Sequence, residues 1–186
     1  TFRPGKNRYM KDYLEEIHKN GLQFRRRYIS EFIGKSDIKG KHILDVGCST
    51  GWFENFVLGL GANGAVGIDP SAKSVDFAKN NVDAKKAKFL IGNALDLPFG
   101  DKSFDTIVSW EVIEHIPINQ EERMFSEVRR VLRKGGSFYL STPYDSITSK
   151  VFDPAWLFLG HRHYSESKLT AIASKQGFKL TKVSVK

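Results

Sequence analysis

HILDVGCSTG, residues 42–51, decides the fold: a short apolar run, His42 to Val46, ends in a turn carrying Gly47 and Gly51. An apolar run of this length is expected of a parallel strand covered on both faces, and glycines at its end permit a sharp turn into a helix. Outward from it the rhythm repeats. Helices are predicted over 52–60 and 71–81, the second with Ser71 as its N-cap, and strands over 65–69 and 87–91. Beyond a turn at Leu97-Pro98 come a strand over 104–109, a helix over 120–133 that stops before Gly135-Gly136, and a fifth strand over 137–141. A helix over 166–176, ended by Gly177, and a sixth strand over 178–185 close the series. This alternation predicts an α/β fold, a doubly wound and mostly parallel sheet with helices on both faces.

Two stretches stand outside the rhythm. Residues 1–41 read as an N-terminal helical extension or lid. Tyr9, Tyr13, Leu14 and Ile17 recur at helical spacing, and so do Phe24, Tyr28, Ile29, Phe32 and Ile33. Within the main domain, 42–186, residues 142–164 read as an insertion on the substrate side, with Pro143, Pro154 and the ring residues His161, His163 and Tyr164. Its apolar run, Phe152 and Trp156 to Leu159, reads as a lid, as a patch touching a membrane, or as core packing.

Composition narrows the class. Of 186 residues, 40% are hydrophobic and 27% charged, as in ordinary globular domains. Cys48 is the only cysteine, which excludes an internal disulfide and points to a reducing, cytoplasmic setting. No run reaches the ~18 to 20 apolar residues of a membrane span. The net charge of +8 is divided unevenly: residues 1–41 carry +6, 42–149 carry −3 and 150–186 carry +5. Basic ends leave nucleic acid, an anionic membrane surface and an anionic small molecule open as partners.

The glycine turn fails the dinucleotide fingerprint. Counted from Gly47, Ser49 and Trp52 stand where glycines are required, and no Gly-Lys-Ser/Thr follows to make a P-loop. Asp45 at the strand end would repel a pyrophosphate and attract an ammonium. The ligand expected is therefore a nucleoside with a cationic amino-acid tail. Asp69 ends the second strand, 24 residues on, where a carboxylate accepts from both ribose hydroxyls. Asn93 can accept from an adenine amino group and the Ala94 N–H can donate to the ring. Ser109 and Trp110 end the fourth strand, where an aromatic wall suits a sulfonium.

ILDVGCSTG, VGIDPS, IGNALDLPF, FDTIVSWEVIEHI and RVLRKGGSFYLSTP, in this order, resemble the successive motifs of the class I S-adenosylmethionine-dependent methyltransferases, and most closely the small-molecule and ubiquinone/menaquinone branch. The resemblance covers roughly residues 40 to 142. It implies a Rossmann-like fold, S-adenosylmethionine as cofactor and S-adenosylhomocysteine as product. It also implies that Asp45, Gly47, Cys48 and Gly51 surround the methionine part, Asp69 the ribose, and Asn93 with Ala94 the adenine. Ser49 departs from the family's middle glycine and Asn93 from its aspartate. The family's closing seventh strand is missing, and with a first residue other than Met this makes trimming at both ends the expectation.

The sulfonium is already an activated methyl donor, so alignment and exclusion of water matter more than a base. The candidate bases are His115, with Glu114 and Glu111 beside it, and His161 and His163, with Tyr164, on the insertion. Metal binding by His161 and His163 is not expected, since no carboxylate or cysteine lies at ligand spacing. A small-molecule acceptor, lipid-like, quinone or sugar-linked, is the leading reading. The competing ones are RNA or protein methylation and a non-catalytic cofactor-binding module. Ser109-Trp110-Glu111-Val112 lacks the Asn/Asp-Pro-Pro-aromatic run that resembles base-amino methyltransferases. Oligomeric state has no signature in the sequence.

Overall fold

The computed structural model describes residue 29 and residues 32–82, 85–145 and 162–184. Five strands, β1 (His42–Val46), β2 (Gly64–Asp69), β3 (Ala87–Ile91), β4 (Phe104–Trp110) and β5 (Leu132–Ser141), form one parallel sheet in the order β3-β2-β1-β4-β5. The helices are α1 (Trp52–Gly59), α2 (Ala72–Asn81), α3 (Glu121–Val131) and α4 (Glu166–Lys175). Because side chains alternate along a strand, β1 sends Leu44 and Val46 to one face and Ile43 and Asp45 to the other. The first face packs against Met124, Phe125 and Val128 of α3 and Ile172 of α4. The second packs against Trp52, Phe53 and Val57 of α1. The α/β, doubly wound expectation therefore holds.

Most elements lie within two residues of the sequence expectation. Ser71 caps α2 as expected, its hydroxyl accepting from the Ser74 N–H at 3.3 Å. Two elements differ. The fifth strand begins at Leu132, so that α3 stops at Val131 and passes into the sheet without a loop. Phe104 pairs with Leu132 and Thr106 with Ser137, and the intervening Arg133 to Gly136 bulge out with Gly135 at φ 77°. The glycine pair is thus a bulge inside a strand. The sixth strand, expected over 178–185, is absent among the described residues. A strand exists through its ladder of backbone bonds. Here Leu180 and Val183 stand exposed while Phe178 turns into the core beside Phe125 and Phe138.

Tyr9, Tyr13, Leu14 and Ile17 of the first predicted helix, and the apolar run of Phe152 and Trp156 to Leu159, lie outside the described residues. From the second predicted helix, Ile29 and Ile33 are buried beneath α1, joined by the Ile33 N–H to the Ile29 carbonyl at 2.8 Å. A 3-10 turn, Lys35–Asp37, follows. The Asp37 carboxylate accepts from Ser137 Oγ at 3.0 Å and Tyr139 Oη at 2.7 Å, and its carbonyl from Thr106 Oγ1 at 2.6 Å. Burial and this carboxylate push the Tyr139 phenol up to about 12.

Candidate functional site

Strand order reverses between β1 and β4, and in open α/β sheets the crevice beyond the carboxyl ends of such strands is where ligands bind. Gly47 shapes its floor. At φ 88° it occupies left-handed space, and a Cβ there would fall 2.3 Å from Val112 Cγ2, so only glycine lets the turn pass under the segment after β4. The N–H groups of Gly47 and Cys48 both reach the Ile68 carbonyl, at 2.7 and 3.1 Å, which fastens the turn to β2. Asp69 is fixed from two sides: its carboxylate accepts from the Ser49 N–H and the Ser71 N–H, each at 2.9 Å. Each oxygen keeps a further lone pair for a hydroxyl donor.

Below the turn lies an acidic layer. Asp45 is 2% exposed and pairs in register with Gly67 of β2. Gly67 shares a sheet face with Asp69, two residues on. Glu54, in the first turn of α1, is fully buried on that same face, and neither of its carboxyl oxygens has a hydrogen-bond partner among the described residues. Burial first, and then the Asp45 charge, push its carboxyl well above the ordinary carboxylate range. Burial likewise pushes up the Cys48 thiol. Sequence reasoning missed Glu54. The available signal was one acid inside the apolar stripe Trp52, Phe53, Phe56, Val57.

Beyond β3, Asn93 is exposed and folds back on its own loop, its side-chain carbonyl accepting from the Leu95 N–H at 2.9 Å. Ala94 is buried. The loop that follows is clamped to α3. Arg130 donates to the carbonyls of Leu97 at 2.9 Å and Phe99 at 2.7 Å and to Glu127 at 2.7 Å, and Glu127 accepts from the Leu97 N–H at 2.8 Å. Arg123 adds a bond to the Leu95 carbonyl at 2.9 Å.

On the opposite side, Ser109 and Trp110 are buried, and neither Ser109 Oγ nor Trp110 Nε1 has a hydrogen-bond partner among the described residues. The Trp110 ring meets Phe53 edge-on at 5.9 Å. Glu111 takes the left-handed conformation at φ 55°, costly for a side chain of its size, and accepts from Ser141 Oγ at 2.5 Å. Thr142 Oγ1 donates to Glu114 at 3.1 Å. His115 is exposed at the end of the 3-10 turn Ile113–His115, and His163 is half-buried; His161 lies outside the described residues. Tyr164 does not face the crevice. It is 1% exposed and donates to Glu121 at 3.0 Å, and Arg162 donates to Glu121 and to the carbonyls of Ile113 and Ile116. The ring is core, packed with the apolar face under α3.

Thr50 Oγ1 is a further buried polar atom of this region with no hydrogen-bond partner among the described residues. A glycine turn over carboxylates, a second-strand acid held by two amides and unmatched polar atoms at strand ends fit adenosine joined to a cationic tail. Phosphates would meet Asp45 and Asp69 instead.

Comparison with known proteins agrees. Residues 44–140 match the family model described as a methyltransferase domain. The chain is 32% identical over 181 residues to the ubiquinone biosynthesis O-methyltransferase of Pelagibacter ubique (strain HTCC1062), covering 86% of this chain and 73% of that protein. It is 31% identical over 105 residues to the fatty-acid O-methyltransferase of Mycolicibacterium smegmatis (strain ATCC 700084 / mc(2)155), covering 56% of this chain and only 38% of the relative. The S-adenosylmethionine-dependent methyltransferase of Mesorhizobium loti shares the fold, with a TM-score of 0.67 at 21% identity, over 78% of this chain and 77% of that one. With the motifs in order and the sheet arranged to match, the chain belongs to the class I S-adenosylmethionine-dependent methyltransferases.

Proposed function

We propose that this chain transfers the methyl group of S-adenosylmethionine to an oxygen of a small, largely apolar acceptor. The observation that speaks for a small molecule over a nucleic acid is Glu111, held just past the end of β4 by the Ser141 hydroxyl, where its carboxylate would repel a phosphate backbone. The names of the ubiquinone and fatty-acid O-methyltransferases point the same way.

In this reading Asp45, Gly47, Cys48 and Gly51 hold the methionine end, Asp69 the ribose, and Asn93 with the Ala94 N–H the adenine. Ser109 and Trp110 form the wall beside the sulfur. When bound, the cofactor supplies the activated methyl. The protein aligns the acceptor oxygen behind it and excludes water, an advantage of ~7 to 11 kcal/mol for a well-held pair. His115, His161 and His163 are the candidates to take the acceptor's proton, worth ~10²- to 10⁴-fold where the acceptor is not already ionised.

Incubation with methyl-labelled S-adenosylmethionine and fractionated cell extract tests the acceptor class. Label should enter the organic-soluble fraction, at a rate that barely responds to salt. Label in RNA, with steep salt dependence, or in protein overturns the small-molecule reading. Cofactor binding with no transfer to any fraction points to a non-catalytic binding module.

A further inference from the structure

The fold makes room for Glu54. A Cβ on residue 67 would lie 2.3 Å from Glu54 Oε1 and 2.6 Å from Cys48 Cβ, so glycine in the middle of β2 keeps open the slot that the carboxyl fills. Among the described residues, the titratable groups facing it are Asp45 from β1, Cys48 from the turn and Asp69 from β2. Val75 and Ala78 of α2 pack in one apolar cluster with Cys48, and Trp52, Phe53 and Val57 of α1 are buried on the same helix as Glu54. The charges that the described residues place on Glu54, those of Asp45 and Asp69, are both negative. An isolated ionised carboxylate in such a place is strongly unfavourable, whereas the protonated acid is tolerated. A cation arriving beside Asp45 reverses the balance.

We propose that Glu54 is a reserve counter-charge for the cofactor's ammonium: a neutral acid in the ligand-free chain, it gives up its proton as the cationic amino-acid end settles over Asp45. The proposal rests on the placement of the methionine end at Asp45, Gly47 and Cys48. The O–H bond of the Glu54 carboxyl breaks, its electron pair stays on oxygen, and the proton passes to water and then to buffer. Cofactor binding is thereby linked to pH, and affinity rises with pH while the ligand-free site still holds the proton. Glu54 is a positioning residue for charge, acting below the ligand.

Calorimetric titration in phosphate and in Tris, buffers of different ionisation enthalpy, counts the protons. S-adenosylhomocysteine, which keeps the ammonium, should bind the wild-type chain with release of a sizeable fraction of one proton. Its affinity should strengthen by up to about tenfold per pH unit over the range in which the ligand-free chain still holds the Glu54 proton. Methylthioadenosine, which keeps the nucleoside and sulfur but lacks the ammonium, should bind without release. Glu54→Gln should bind S-adenosylhomocysteine with no release and a flat pH profile. Equal release by both ligands, release undiminished in Glu54→Gln, or no release by the wild type each overturns the proposal. Should the variant fail to fold, the two ligands on the wild-type chain decide. No heat from S-adenosylhomocysteine or S-adenosylmethionine would instead strike at the cofactor reading itself.

Discussion

Ser49 stands at φ 47° between two glycines that share its handedness, Gly47 at 88° and Gly51 at 74°. A side chain in left-handed space costs about 1 to 2 kcal/mol, and what Ser49 contributes to the site is its backbone N–H to Asp69. Ser49→Gly should therefore stabilise the chain by about 1 kcal/mol, read as a higher midpoint in urea with unchanged cofactor affinity. Asp69 answers the opposite way. With the ribose placed at Asp69 as proposed, removing this carboxylate forfeits charge-assisted hydrogen bonds of about 1.5 to 3 kcal/mol each. Asp69→Ala should thus weaken S-adenosylhomocysteine binding by well over tenfold in calorimetry. Both residues were legible in the sequence, since a strand-end acid and a glycine-rich turn follow from local chemistry. Glu54 was not. An acid in a helix reads as solvent-facing until the sheet beneath is known, and its slot depends on Gly67, which is distant in sequence.

At the scale of elements, α3 does more than cover the sheet. Glu127 and Arg130 tie it to the loop carrying residues 95–99, and the Arg130 guanidinium holds the Glu127 carboxyl below the usual carboxylate range. That loop follows Asn93 and Ala94 directly. Glu127→Gln should raise the KM for S-adenosylmethionine several-fold and leave kcat within about twofold, because binding geometry is disturbed while the reacting atoms are not. A fall in kcat with KM unchanged would refute the clamp. The strand–helix series was legible because parallel strands are apolar throughout and helices show their period. Its failures have physical causes. Gly135-Gly136 reads as the stop of a helix with the strand beginning after it, because bulges and helix ends use the same residues, and 178–185 reads as a strand because alternation persists where no ladder forms.

For the molecule as a whole, two sets of carboxyls set opposite limits with pH. Burial raises Asp105 and Glu121, yet the His42 N–H and Arg133 on the first, and Tyr164 and Arg162 on the second, leave both below their ordinary range, as Arg130 leaves Glu127. Their stabilisation is present above the unfolded values near ~4 and is lost as pH falls through the depressed folded ones. Glu54 has the opposite sign. Its folded value is raised, so its contribution is complete below the unfolded value of ~4.3 and is lost as pH climbs. Without ligand, the wild-type chain should lose up to ~1.4 kcal/mol per pH unit above about pH 5 relative to Glu54→Gln, measurable by urea unfolding across pH. Parallel curves would show that Glu54 is already ionised when empty.

The grip of Asp37 on Ser137 and Tyr139 spans about a hundred positions of chain. A nascent polypeptide leaving the ribosome therefore carries one half of this latch long before the other half is made. Central β1 can meet β2 early, but the latch closes only when the outermost strand of the far edge has emerged. Such distant closure is slow to form. Disabling the latch with Tyr139→Phe should therefore speed unfolding and leave the early rate of collapse nearly unchanged.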